Sequence, residues 1–419
     1  MTEIIKGNVI HTTRLGELTC FEGGWLVSVD GVIAYVGQTL PEEYVGLPVT
    51  DYGDMLVLQS FADMHLHGAQ YPMLATGLDL PLMDWLTAYA FPTESRMADN
   101  DYARMVYRKL VRELLDNGTT RVAMFASLHD EATLILMEEM EAAGLTGYVG
   151  KVNMDRNNHV LLQETTEESK ASTLRWLEGC RKFKNVKPIL TPRFTPSCTD
   201  ELMAWLGETA RERDLYVHSH LSENDKEMEL VAQLHPDCSQ YWETYDKFGL
   251  WKDHTIMAHC VHSDARERKA MRDHNVLAVH CPDSNNNICS GVAPVRILLE
   301  EGNWVALGSD ISGGAHLPML EVMAIAVSTS KTRCMMTGDR PLNAAEAYYL
   351  ATTAGHCYFG DQPGFAPGNP LHAVVVDDSS IGVPGDHLPL AERLERLFYR
   401  AKSEHIKAVY SAGRKVKGE

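Results

Sequence analysis

Short apolar runs, separated by longer stretches with a helical period, dominate the chain from residue 56 to about residue 310. Eight such runs can be read, at 56–63, 119–126, 146–153, 186–192, 215–220, 255–259, 276–280 and 304–310. Several follow an amphipathic stretch that closes on a turn signal. Residues 104–115 run into Asn117-Gly118, and residues 131–143 end at Gly144. Strand–helix alternation repeated eight times predicts an α/β fold with a parallel (β/α)8 barrel of the TIM type. The count alone does not separate that barrel from an open doubly wound sheet.

The two ends of the chain have a different pattern. Residues 3–10, 24–29 and 31–36 are short β-rich runs, and Asp30-Gly31 between the last two is a hairpin signal. The tail returns to β character at 372–377 and 406–410, the latter followed by Ser411-Ala412-Gly413. β-rich ends flanking one barrel predict a small discontinuous β-sandwich domain from residues 1–56 and 365–419, beside a barrel domain at 57–364. No internal repeat or low-complexity segment interrupts this order.

Composition narrows the function classes. The chain has 419 residues, 45% of them hydrophobic and 23% charged, as in a soluble globular enzyme. Its formal charge of −19 disfavours nucleic acid and anionic membranes as partners, but not a neutral small molecule. Nine cysteines without a C-x-x-C pair fit free thiols in a reducing compartment. No signal-peptide pattern opens the chain, and no apolar stretch is long enough for a membrane span, so the cytoplasm is expected.

The strongest local chemistry is Phe61-Ala62-Asp63-Met64-His65-Leu66-His67. Two histidines at i and i+2 on an extended strand share one face and can share a metal ion. Alone, H-x-H is a weak motif. Its position at the end of the first barrel-type run strengthens it, because barrel sites sit at the C-terminal ends of strands. The later runs end in Arg193-Phe194, His220 with Glu223, His259, His280-Cys281-Pro282 and Ser309-Asp310. Each could be a satisfied core residue, but together they resemble a metal site. The donor set is His65, His67, His220 and Asp310. Zinc suits it, with an open position for water, and iron or manganese accept similar donors. Such an ion lowers the pKa of bound water from about 15.7 to about 7. Glu223 is placed to move protons as general acid and base, and His259 to stabilise charge at the attacked carbon. Gln70, Arg193 and Phe194 suit a planar heterocycle, as an amide, a donor fork and a stacking ring. Lys151 and His218 are read as packing or supporting residues. His11, His129, His235 and His372 have no supporting context.

This ordered set resembles the amidohydrolase superfamily, from about residue 56 to 320, with flanks that fit the family's small β domain. Within it, His67-Gly68-Ala69-Gln70-Tyr71, Pro192-Arg193-Phe194-Thr195-Pro196 and Ser219-His220-Leu221-Ser222-Glu223-Asn224 resemble the guanine deaminases, as does Phe91-Pro92-Thr93-Glu94. The resemblance implies one zinc per subunit on His65, His67, His220 and Asp310. It implies a purine base held by Gln70, Arg193 and Phe194, with His220, Glu223 and Asp310 lining the same pocket. Proton movement would fall to Glu223, assisted by His259 and Asp310. The implied reaction is guanine plus water to xanthine plus ammonia, in a homodimer. Two departures stand out. Gln59-Ser60 replaces the family's usual Pro-Gly, and Asn285-Asn286-Asn287 replaces a more apolar stretch. The residues alone leave open another aminated ring (8-oxoguanine, a pterin, a triazine or an adenosine derivative) and, on the same barrel, a non-catalytic scaffold.

Overall fold

Gln59 and Ser60 mark the point where the chain leaves one sheet and enters another. In the computed structural model, which describes residues 1–80, 82–383, 385 and 387–418, four strands precede that point. They are β1 (Thr2–Arg14), β2 (Glu17–Val29), β3 (Val32–Gly37) and β4 (Thr50–Gln59). Ten follow in the middle of the chain: β5 (Phe61–His67), β6 (Thr119–Phe125), β7 (Thr146–Gly150), β8 (Val152–Asn153), β9 (Val186–Pro188), β10 (Thr191–Pro192), β11 (His218–Leu221), β12 (Ile256–His259), β13 (Leu277–His280) and β14 (Trp304–Leu307). The last three are β15 (Ala373–Val376), β16 (Ile406–Ser411) and β17 (Arg414–Lys417). The first predicted run, 56–63, therefore merges the end of β4 with the start of β5. Continuous apolar residues on both sides of the break conceal it in the sequence.

The middle strands form two parallel four-stranded sheets, β5-β6-β7-β9 and β11-β12-β13-β14, with β8 and β10 pairing beside them. A parallel bridge between Leu190 and Val217 joins the sheets at one edge. At the other, the Asp310 amide donates to the His65 carbonyl at 2.8 Å, and the His67 amide to that of Ile311 at 3.0 Å. Helices connect successive strands and cover their outer faces. One of them, Asn100–Asp116, begins at Asp99, whose side chain accepts from the Asp101 and Tyr102 amides. Another, Asp130–Ala143, ends at Gly144 with φ +86°, the helix end predicted from sequence. Among the described residues no helix is long and apolar enough to cross a membrane.

The two ends of the chain hydrogen-bond into one seven-stranded sheet in the order β17-β16-β15-β4-β1-β2-β3. The β2–β3 hairpin turns at Asp30 (φ +50°) and Gly31 (φ +82°), the left-handed pair that a tight hairpin requires. Bulges interrupt β1 between Gly7 and Val9 and between His11 and Arg14, and bulged strands bend. The bent sheet packs Ile5, Val9, Leu26, Val57, Val375 and Tyr410 into a core of its own. Its opposite face, including Ile10, Leu58, Val374 and Val409, joins the main core. The predicted domain boundary at 56/57 falls inside β4, because that strand continues to Gln59 before the chain turns.

Polar side chains join this sheet to the parallel strands. Gln59 accepts from the Thr12 amide at 2.8 Å and donates to Thr353 at 3.0 Å. Ser60 meets Thr120, which in turn meets His372 Nδ1 at 2.8 Å. Gln59-Ser60 therefore supplies side-chain hydrogen bonds that a Pro-Gly pair would lack. Arg121 and Asp361 complete the junction as a buried ion pair at 2.8 Å. Breaking a buried pair leaves an uncompensated charge. Asp361→Ala is expected to lower unfolding stability by about 3–5 kcal/mol in urea denaturation, with bound metal unchanged. A loss within about 0.5 kcal/mol, the scale of an ordinary surface change, would show that Arg121 finds another partner.

Candidate active site

Strand alternation places His65 and His67 on one face of β5, and His218 and His220 on one face of β11; Asp63 precedes the first pair across a register shift in β5. All five are buried. The rings of His65 and His67 meet edge-on with centroids 5.0 Å apart, and His67 Nε2 lies 3.1 Å from His220 Nε2. Asp310 follows β14. Its Oδ1 is 3.2 Å from His65 Nε2 and 3.4 Å from His67 Nε2. His259 ends β12, with Nε2 3.7 Å from Asp310 Oδ2 and 3.5 Å from Glu223 Oε2. Gly308 permits this convergence, since a Cβ there would lie 3.0 Å from the His65 backbone nitrogen. Ser222, His259 and Asp310 adopt left-handed φ values of +47°, +74° and +47°. Non-glycine residues hold such conformations only where their surroundings fix them, and they cluster at functional sites.

Burial, followed by neighbouring imidazoles, holds His65, His67, His218 and His220 well below the usual imidazole range, so these rings are neutral. His220 Nδ1 donates to the Arg193 carbonyl at 2.6 Å, which leaves a lone pair on Nε2. His65 Nδ1 is 2.7 Å from His218 Nε2, and His65 Nε2 makes no hydrogen bond to any described residue. Neutral nitrogen lone pairs converging beside a carboxylate are a donor set suited to a cation. The candidate ligand atoms of His65, His67 and His220 lie within 4.8 Å of one another, as do those of His65, His259 and Asp310. This cluster can hold a metal.

Two carboxyls beside the cluster retain protons more readily than usual. Burial pushes Glu223 up to about 7, against the opposing pull of His259. Burial also raises Asp310. For His259, burial favours the neutral ring, but Glu223 and Asp310 outweigh it and raise the group above its ordinary value. Ser290 donates to Glu223 Oε1 at 3.1 Å, and Asn285 Oδ1 accepts from His259 Nδ1 at 2.9 Å.

His67, Gln70, Arg193, Phe194, His220, Glu223, His259 and Asp310 line one cleft, so the structure brings together every site residue predicted from sequence; His65 lies beneath. Leu82, Trp85, Leu86 and Ile288 form an apolar wall. Phe194 is half-buried, its ring centroid 6.4 Å from that of His220. Arg193 donates to both oxygens of Glu94, at 2.7 and 2.9 Å. Lys151 is outside the cleft, buried against Glu164 at 3.2 Å, in keeping with a packing role.

The amidohydrolase family pattern matches residues 56–416 of this chain. The chain belongs to the amidohydrolase family. It is 34% identical to guanine deaminase of Dictyostelium discoideum, over 99% of this chain and 98% of that one. It is 35% identical to guanine deaminase of Rattus norvegicus, over 99% and 96% of the two chains. Its fold is similar to the crystal structure of guanine deaminase from C. acetobutylicum with guanine bound in the active site. That match has a TM-score of 0.96 and 40% identity, covering 99% of this chain and 100% of the other.

Several residues that shape this amidohydrolase site were not singled out in the sequence. Glu94 is visible in the sequence only inside the Phe91-Pro92-Thr93-Glu94 segment, and Asn285 only at the end of the His280-Cys281-Pro282 motif, where the pattern also departs. Ser290 and Ser312 carried no signal, because their contacts depend on how loops converge. His218 is buried against His65, and partners of this kind orient metal-ligating rings. His218→Ala is expected to weaken divalent-metal binding about 10–100-fold, read by competition with a chromophoric chelator. Unchanged affinity would remove His218 from any part in orienting His65.

Proposed function

We propose that this amidohydrolase hydrolyses guanine to xanthine and ammonia with one zinc ion per subunit. The observation that carries the reading is the convergence of a metal-type donor cluster, a proton-holding carboxyl and a cleft lined by donor groups and an apolar wall. Likeness over the whole chain to guanine deaminases, one solved with guanine, supports the choice of ring. In this reading the two parallel sheets are halves of one (β/α)8 barrel spanning 57–364. Residues 1–56 and 365–419 form the small β domain, in the place where a sandwich is expected. The reading includes a cytoplasmic homodimer, supported by nine free cysteines and by the family resemblance.

His65, His67, His220 and Asp310 would hold the ion. When bound, zinc supplies a water acidified towards neutral pH and polarises the attacked carbon's surroundings. The protein's own groups do the rest. Arg193 and Gln70 hold the ring edge, and Phe194 and the apolar wall fix its plane and exclude bulk water. Glu223, buried and protonated near neutrality, passes a proton to the ring nitrogen beside the amino-bearing carbon. It takes one proton from the attacking water and delivers it to the departing amine; the remaining hydroxyl proton returns to the carboxylate, so that ammonia leaves, a carbonyl remains and Glu223 is protonated again. His259, held by Asn285 and raised by its two carboxyl neighbours, stabilises negative charge as it develops.

The test is ammonia release from guanine, 8-oxoguanine, adenine, cytosine and pterins by zinc-loaded protein. Guanine is expected to be strongly preferred; activity confined to another ring would overturn the substrate assignment. Glu223→Gln is expected to lower kcat by about 10²–10⁴-fold with zinc content unchanged by atomic absorption. Loss of zinc from that variant would overturn its role as proton carrier.

A further inference from the structure

Glu94 lies on the short helix Phe91–Ser95 and is 3% exposed. No step of the reaction uses it, yet it touches both polar groups proposed to read the ring edge. Its Oε2 accepts from Arg193 Nη1 at 2.7 Å. Its Oε1 accepts from Arg193 Nη2 at 2.9 Å and from Gln70 Nε2 at 2.8 Å. Phe91, on the same short helix, lies under the guanidinium at 5.2 Å. The other end of the Gln70 amide is held as well, since its Oε1 accepts from the Ser312 amide at 3.1 Å.

We propose that Glu94 is a positioning residue that sets the base preference of this site, by holding Arg193 and Gln70 in the one arrangement that selects a ring carbonyl over a ring amine. The inference rests on the guanine reading of the cleft. A guanidinium only donates, so it favours a carbonyl oxygen and opposes an amino group. It can discriminate only if its direction is fixed, and the two-pronged pairing with Glu94 fixes it. Glutamine is different, because its amide can turn over and present either a donor or an acceptor. With Glu94 in place, turning Gln70 over sets its oxygen against a carboxylate and its NH2 against the Ser312 N–H. Both contacts are repulsive. One buried carboxylate thus removes the freedom of both reading groups, and its charge balances the buried arginine.

The experiment measures kcat and KM for guanine and for 2,6-diaminopurine, which carries an amine where guanine has its ring carbonyl. It compares zinc-loaded wild type, Glu94→Gln and Glu94→Asp, with zinc content and Tm recorded for each. Wild type is expected to prefer guanine. Glu94→Gln is expected to raise KM for guanine about 10–100-fold, the scale of a lost charged hydrogen bond. Its kcat should change less than its KM, and its preference for guanine over 2,6-diaminopurine should narrow at least about tenfold. Glu94→Asp keeps the charge on a shorter arm and should recover part of both. If Glu94→Gln does not fold, Glu94→Asp carries the test through a smaller rise in KM and a narrowed preference. Unchanged KM and preference in the folded variants would overturn the inference alone. An equal loss on both bases with the preference intact would also overturn it, leaving Glu94 a purely structural role. Failure of wild type to release ammonia from guanine would instead overturn the guanine reading, whatever the variants do.

Discussion

The site depends on a buried seam between β5 and the end of β14, closed by the carboxylate of Asp63. Asp63 is fully buried and accepts from the Ser309 amide at 2.9 Å, from the Ser309 hydroxyl, and from the His65 amide at 3.4 Å. Burial raises its pKa to about 7, and the Ser309 donors oppose that rise. In a low-dielectric interior such bonds are strong, and an unmade one is costly. The seam sets the register of two segments 246 residues apart. Once it forms, the Asp310 amide reaches the His65 carbonyl and the His67 amide reaches that of Ile311. The H-x-H pair and the aspartate then face each other across the join, and the left-handed turn at Asp310 aims its carboxylate inward.

What was legible in the sequence was whatever the strand period controls. His65 with His67 and His218 with His220 share faces because side chains alternate along a strand, and the spacing states this directly. Asp30-Gly31 and Gly144 announced their turns because few residues tolerate their backbone angles. The break at Gln59-Ser60 was hidden, since β4 and β5 are both apolar and nothing between them demands a turn. The terminal strands were recognisable singly, but their joining into one sheet was not, because the bulges that bend β1 depend on its partners. Glu94 was illegible for a related reason. It lies in a segment of short helical turns without a sustained period, and its partners are 24 and 99 residues away.

Charge shows the same division between what composition reveals and what only the fold can. The chain carries a formal charge of −19, yet the cleft pairs its arginine with Glu94 and builds its donor cluster largely from neutral imidazoles. The expectation that nucleic acid is excluded rests on the total charge, while the proposed fit to an uncharged base rests on local pairing. The two statements concern different distances, since exposed charges are screened within about 10 Å at 0.1 M salt and buried ones far less.

The residues also separate by the work their positions allow. The proposed metal ligands, with Glu223 and His259, sit at strand ends or one turn beyond, where the sheet fixes them. Gln70, Glu94, Leu82 and Trp85 belong to the long excursion between β5 and β6, which bends over the cleft without joining the sheet. Loops of this kind vary more freely than the strands that carry them. Hydrolysis of an amino-bearing ring needs only the strand-end set, whichever ring it is. In the proposed reading, selection of the ring falls to the excursion together with Arg193 and Phe194. A change in the excursion can therefore redirect the site to another heterocycle while the Asp63 seam and the donor cluster stay intact. A change in the seam cannot spare either, because the excursion is anchored to the same strand end that carries His67.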